Sequence, residues 1–145
     1  MALEYGKSLL RMSVARVSEE LMKALVVDSS NTMRSVLLRI LSMRGFEVAE
    51  AKDVGNALEV FHGMGEAALV LVDWSLNEID SLEFIARLRL VTAHDTVVIM
   101  LATTEPGTRT LQRALIAGAD DYLMKPFTSL QIDEKLAQAG FNCRL

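Results

Sequence analysis

A single cysteine, Cys143, occurs in the 145 residues, close to the C-terminus. No disulfide can close within the chain, which fits a reducing compartment. No apolar run approaches the roughly 20 residues that cross a bilayer. Arg11 and Arg16 break up the apolar segment that a secretory signal would need near the N-terminus. The formal net charge is only −4, which argues against nucleic acid as a direct partner. Repeats and low-complexity tracts are absent. The two histidines, His62 and His94, pair with no cysteine or second histidine at metal-ligand spacing, so both read as solvated surface. What is left is a chain of 51% hydrophobic and 23% charged residues. That excludes disordered and collagen-like classes and suffices for one domain's core. The expectation is a soluble, cytoplasmic domain that touches no membrane.

Three short apolar runs end in charge. Ala24 to Val27 runs into Asp28, Ala68 to Val72 into Asp73, and Tyr122 to Met124 into Lys125 and Pro126. A strand interior has no use for such groups, so each charge marks where a strand leaves the core.

Between these runs the pattern alternates. After strand Ala24–Asp28, Ser29, Ser30 and Asn31 supply turn and cap chemistry for a helix carrying Met33, Leu37, Ile40 and Leu41, closed by Gly45. Strand Phe46–Ala51 follows, then a helix capped by Asp53 that carries Ala57, Leu58 and Phe61 and stops at Gly63 or Gly65. Ala68–Val72 is continuous enough for a central strand buried on both faces. Ser81 is expected to cap a helix with Phe84, Ile85 and Leu88 inward. Thr96–Leu101 reads as a strand, Thr108–Ala117 as a helix closed by Gly118, and Tyr122–Met124 as the fifth strand. Thr128 and Gln131 form a capping box for a last helix ending at Gly140. Strict alternation implies a parallel sheet covered on both faces. The α/β fold expected is a flavodoxin-like, doubly wound (βα)5 unit with strand order 2-1-3-4-5, whose ligand crevice lies at the strand ends carrying Asp28 and Asp73. This domain spans 23–140. Residues 141–145 form a tail. Residues 1–22 precede it with Leu10, Val14, Val17 and Leu21 at helical spacing. Two readings stay open there: an extra amphipathic helix packing on the domain or on a second copy, or a frayed leader.

The predicted crevice gathers two acids, a lysine and, at the fourth strand's end, Thr103 and Thr104. A carboxylate nucleophile that forms an acyl phosphate needs an exposed oxygen, a cation for the phosphoryl oxygens and further donors. Mg²⁺ suits one or two carboxylates plus phosphate and water. Asp73 ends the central strand and is the nucleophile candidate. Asp28 is the metal ligand, and Lys125 suits a phosphate oxygen. A cis bond between Lys125 and Pro126 would fix the direction of the lysine.

The segments VVDSSNTMR, LVDWSLNEID, LATTE and AGADDYLMKPF resemble the receiver domain of two-component response regulators, particularly the small stand-alone chemotaxis type. The resemblance covers roughly Lys23 to Gly140. The intervals from Asp73, back to Asp28 and forward to Thr103 and Lys125, are 45, 30 and 52 residues and fit without gaps. The resemblance implies Asp73 as phosphoacceptor and as a ligand of Mg²⁺. Asp28 and the main-chain carbonyl of Ser75 would be further metal ligands. Thr103 would be the switch hydroxyl and Lys125 the lysine bridging to the phosphoryl group. The chain would catalyse only its own phosphorylation and dephosphorylation. A sensor histidine kinase or phosphotransfer protein would be its donor. A downstream protein would bind the face of the fourth helix, fifth strand and fifth helix, which includes Tyr122. A monomer or weak homodimer is expected.

Several positions depart from that pattern. Ser29 stands where the family has a second acid, which weakens the expected Mg²⁺ affinity. Asn77 and Ser81 stand where Pro and Gly are frequent. Ser75 and Glu105 occupy positions that influence how long the phosphoryl group lasts. Trp74 is expected at the mouth of the site. Arg34, Arg39 and Arg44 read as a solvated helix face, and Met43 and Met64 as candidate partner contacts. An alternative function is a phosphorylation-independent interaction module whose metal site Ser29 has degraded. A phosphatase or nucleotide enzyme on a similar sheet is disfavoured, because strand 1 lacks a Gly-rich phosphate loop and Asp28 lacks a second acid two residues on.

Overall fold

The computed structural model describes residues 22–74, 78–91, 97–104 and 107–141. The expectations for Leu10, Val14, Val17 and Leu21, and for Ser75, Asn77, His94, Glu105 and Cys143, fall outside the described residues.

Five strands and five helices alternate: β1 (Met22–Val27), α1 (Asn31–Met43), β2 (Phe46–Ala51), α2 (Val54–Met64), β3 (Leu69–Asp73), α3 (Glu78–Val91), β4 (Val98–Thr103), α4 (Thr108–Ala117), β5 (Asp121–Met124) and α5 (Ser129–Gln138). All strand pairs are parallel and the order is 2-1-3-4-5, as the alternation predicts. Period-2 alternation splits the central strands between two cores. Leu25, Val27, Val70 and Val72 face α2, α3 and α4, while Ala24, Val26, Leu69 and Leu71 face α1 and α5. β3 is buried along its whole length.

Local chemistry sets the helix ends. Ser30, Asp53 and Thr128 cap α1, α2 and α5 through their side chains, and Thr128 with Gln131 completes the capping box. One expectation fails. α3 begins at Glu78, so Ser81 lies inside the helix and not at its cap. Its spacing to Phe84, Ile85 and Leu88 puts it on the inward face, fully buried. Its hydroxyl is the one buried side-chain oxygen or nitrogen without a hydrogen-bond partner among the described residues. Such a group costs roughly 1–3 kcal/mol. β4 also runs later than expected, from Val98 to Thr103, because Ala102 and Thr103 still pair with β5.

Two arginines bind distant elements together. Arg44, expected on a solvated face, is 10% exposed and pairs with Asp133 of α5. Arg89 at the end of α3 donates to the carbonyls of Gly118 and Val97, each at 2.7 Å, and pairs with Asp120. Asp120 in turn accepts the Ile99 amide at 2.8 Å. α3, β4 and the α4–β5 turn are thereby locked at one end of the sheet.

Two measurements check these ties. Gly118 has φ +127° and a Cβ there would sit 2.4 Å from Arg89 Cγ. Gly118→Ala should lower the unfolding free energy by about 2 kcal/mol. A loss below about 0.5 kcal/mol in urea denaturation would show that Arg89 moves aside freely. The Arg44 guanidinium, hydrogen-bonded to Asp133, holds that carboxyl below its ordinary value of 3.8 against a smaller opposing effect of burial. A depressed folded-state value gives stability that is present above pH 3.8 and lost as pH falls from there through the lowered value. The stability gap between the wild type and Asp133→Asn should therefore hold at neutral pH and close in acid. A gap that ignores pH contradicts the tie.

Candidate functional site

Parallel strands bring their C-terminal ends to one edge, and backbone bonds hold the residues just beyond them. The Asp28 amide donates to the Ala51 carbonyl at 3.0 Å, that of Trp74 to Ala102 at 2.8 Å, and that of Lys125 to Thr103 at 2.7 Å. The side chains at these ends therefore start from fixed backbone.

Asp28, Asp73 and Lys125 meet there. Lys125 Nζ lies 2.8 Å from Asp28 Oδ2 and 3.2 Å from Asp73 Oδ1. The other Asp28 oxygen accepts the Ser30 amide at 2.8 Å. Burial pulls the Lys125 ammonium down, but the hydrogen bond it donates to Asp28 and the charges of Asp73 and Asp28 outweigh it. Its pKa is raised above the ordinary 10.5. Thr103 closes β4 beside this group and is buried, whereas Thr104 is exposed. The Lys125–Pro126 bond is cis.

The carboxylates do not stand open to water as a solvent-facing nucleophile would. Asp28 is 2% and Asp73 3% exposed. Burial is tolerated because each acid contacts the ammonium and Asp28 also has a backbone donor.

The donor set agrees with a hard divalent cation of low protein-ligand demand. Two carboxylates converge, and Mg²⁺ accepts one or two together with water and phosphate oxygens. No cluster of three or more acidic, His or Cys side chains able to hold a metal occurs among the described residues. Ser29 is exposed and brings no charge. The Ser75 carbonyl lies outside the described residues.

Arg34 is the site residue that charge patterning misplaces on a solvated face. It is 14% exposed, donates to the Asp28 carbonyl at 2.5 Å, bonds the Asn31 side chain and pairs with Glu50 at 3.3 Å. Its position in the first turn after a strand-end acid was the available signal. The contact with a main-chain oxygen leaves no trace in charge spacing. Arg39 is exposed, as expected. Trp74 is half-buried against the core beside Asp73.

On the flank, Tyr122 is half-buried under Lys135, whose Nζ lies 4.2 Å from the ring centroid and 2.9 Å from Asp121 Oδ1. A cleft of about 170 Å³ opens between α4 and β5, lined by Leu111, Leu115 and Tyr122 among others. Leu115 of α4, Met124 of β5 and Leu130 of α5 are exposed. No helix among the described residues is long and apolar enough to cross a membrane.

The response regulator receiver domain, as a family model, matches residues 24–137. Chemotaxis protein CheY1 of Helicobacter pylori is 35% identical over 116 residues, covering 79% of this chain and 94% of that protein. The chemotaxis protein CheY homolog of Campylobacter jejuni is 34% identical over 116 residues, 79% of this chain and 89% of its own. Chemotaxis protein CheY4 of Vibrio cholerae superposes with a TM-score of 0.75 at 25% identity, covering 82% of this chain and 98% of that structure. Together with five parallel strands in the order 2-1-3-4-5, these matches show that the chain belongs to the response regulator receiver domain family.

Proposed function

We propose that the protein is a phosphoacceptor switch of a two-component phosphorelay. The observation that carries the reading is one ammonium, Lys125, bonded to two buried carboxylates, Asp28 and Asp73. An Asp73 carboxylate oxygen attacks the phosphorus of a phosphohistidine on a histidine kinase or phosphotransfer protein. The phosphorus–nitrogen bond breaks, the aspartyl–phosphorus bond forms, and the imidazole departs and takes up a proton. Asp28, Asp73 and the Ser75 carbonyl would hold Mg²⁺, which would supply neutralisation of the phosphoryl oxygens. Lys125 contacts one phosphoryl oxygen and the Thr103 hydroxyl another. The chain promotes only its own phosphorylation and dephosphorylation and turns over no separate substrate. The α4–β5–α5 face, with Tyr122 and the exposed Leu115, Met124 and Leu130, docks a downstream protein in the cytoplasm.

Trp74 is the only tryptophan and neighbours Asp73, so its fluorescence reports the site alone. Acetyl phosphate or beryllofluoride should change that fluorescence only with Mg²⁺ present, and Asp73→Asn should abolish the change. A response without Mg²⁺, or one that survives Asp73→Asn, contradicts the switch. No response at all favours a constitutive docking module, the reading that exposed, uncharged Ser29 supports. Ser29→Asp restores a third acid and should tighten Mg²⁺ binding about tenfold, or about 1.4 kcal/mol. Unchanged affinity would mean that Ser29 lies outside the reach of the metal.

A further inference from the structure

The β1–α1 turn carries half of the acidic site, and one side chain holds it from outside. We infer that Arg34 is a positioning residue that sets the divalent-cation affinity of the site by fixing Asp28. The inference rests on the proposed Mg²⁺ site and names a determinant of its strength.

Asp28 is held at both ends. Its carboxylate takes the Ser30 amide and Lys125. Its main-chain carbonyl takes Arg34 at 2.5 Å. The same guanidinium bonds the Asn31 side chain at the start of α1 and pairs with Glu50 near the end of β2. A planar fork with five donors spread over three nitrogens can serve three separated partners at once, whereas the three donors of a lysine all radiate from one nitrogen. Arg34 thus joins the ends of β1 and β2 to the first residue of α1, across the turn that contains Ser29 and Ser30.

The two physical effects of this residue have opposite signs. Positioning favours a cation, because a carboxylate held in one geometry loses less freedom when it becomes a ligand. The positive charge of Arg34 disfavours a cation nearby. Glu50 decides the balance, because its carboxylate lies 3.3 Å from Arg34 Nε and offsets that charge. What remains is mostly positioning. It matters more here because Ser29 supplies no second acid after β1, so the turn offers Asp28 alone.

Mg²⁺ titration of the full chain, followed by Trp74 fluorescence, tests this. Arg34→Met should weaken Mg²⁺ binding about tenfold, and Arg34→Lys should fall between it and the wild type. Hydrogen exchange should show lost protection at the Ser30 amide in Arg34→Met, because Asp28 no longer presents its oxygen steadily. Glu50→Gln should also weaken Mg²⁺ binding, through unmasked charge, while the Ser30 amide stays protected. Unfolding midpoints separate these effects from general loosening, since a purely structural residue would lower the midpoint and leave the affinity of the folded protein alone. Arg34→Met with wild-type affinity overturns the inference and leaves the Mg²⁺ reading intact. Tighter binding overturns it in favour of simple charge. A wild type that shows no Mg²⁺ binding overturns both, and is distinguished by failing before any variant is compared.

Discussion

One ammonium shared by two buried carboxylates is the constraint around which this fold is organised. Each ion would lose several kcal/mol by leaving water alone. Lys125 can serve Asp28 and Asp73 together only if β1, β3 and β5 end at the same height on one edge. Parallel pairing in the order 2-1-3-4-5 produces that alignment. The backbone bonds of Asp28, Trp74 and Lys125 to neighbouring strands preserve it. The raised pKa of Lys125 is the electrostatic record of the arrangement. Two acids face a single ammonium in a dry place, and in the proposed function a small divalent cation would answer the second acid.

Rigidity is distributed unevenly around this edge. At this edge Arg34 binds the β1–α1 turn to β2, while Arg44, beyond the far end of α1, pins that helix to α5. At the opposite end Arg89 and Asp120 lock α3, β4 and the α4–β5 turn. The α4–β5–α5 flank instead keeps a small cleft and exposed aliphatic side chains. A phosphoryl group arriving at Asp73 would therefore act on a firmly held site beside a more open surface, as a switch requires.

Most of the frame was legible in the residues. The strand-end charges at Asp28, Asp73 and Lys125, the caps Ser30, Asp53 and Thr128, and the closing Gly118 each report local backbone chemistry, and local chemistry is what a sequence pattern records. Three features were not legible, for separate reasons. Ser81 looked like a cap because serine favours caps, but α3 already begins at Glu78, and the place of Ser81 beside Phe84, Ile85 and Leu88 carries the hydroxyl inside. Arg34 and Arg44 looked solvated because helical spacing says which face a residue occupies, not which partner meets it; Asp133 lies 89 positions from Arg44. The acids looked open to water because a strand end marks the edge of a sheet without revealing how much chain closes over it.

Asp73 is the proposed acceptor of the phosphoryl group, and the most direct measurement is to locate that group covalently. The protein would be treated with acetyl phosphate and Mg²⁺, reduced with borohydride to trap the acyl phosphate, and mapped by peptide mass spectrometry. A single reduced aspartate, at Asp73, is the expected result. Reduction at Asp28, at another carboxylate, or at none would contradict it.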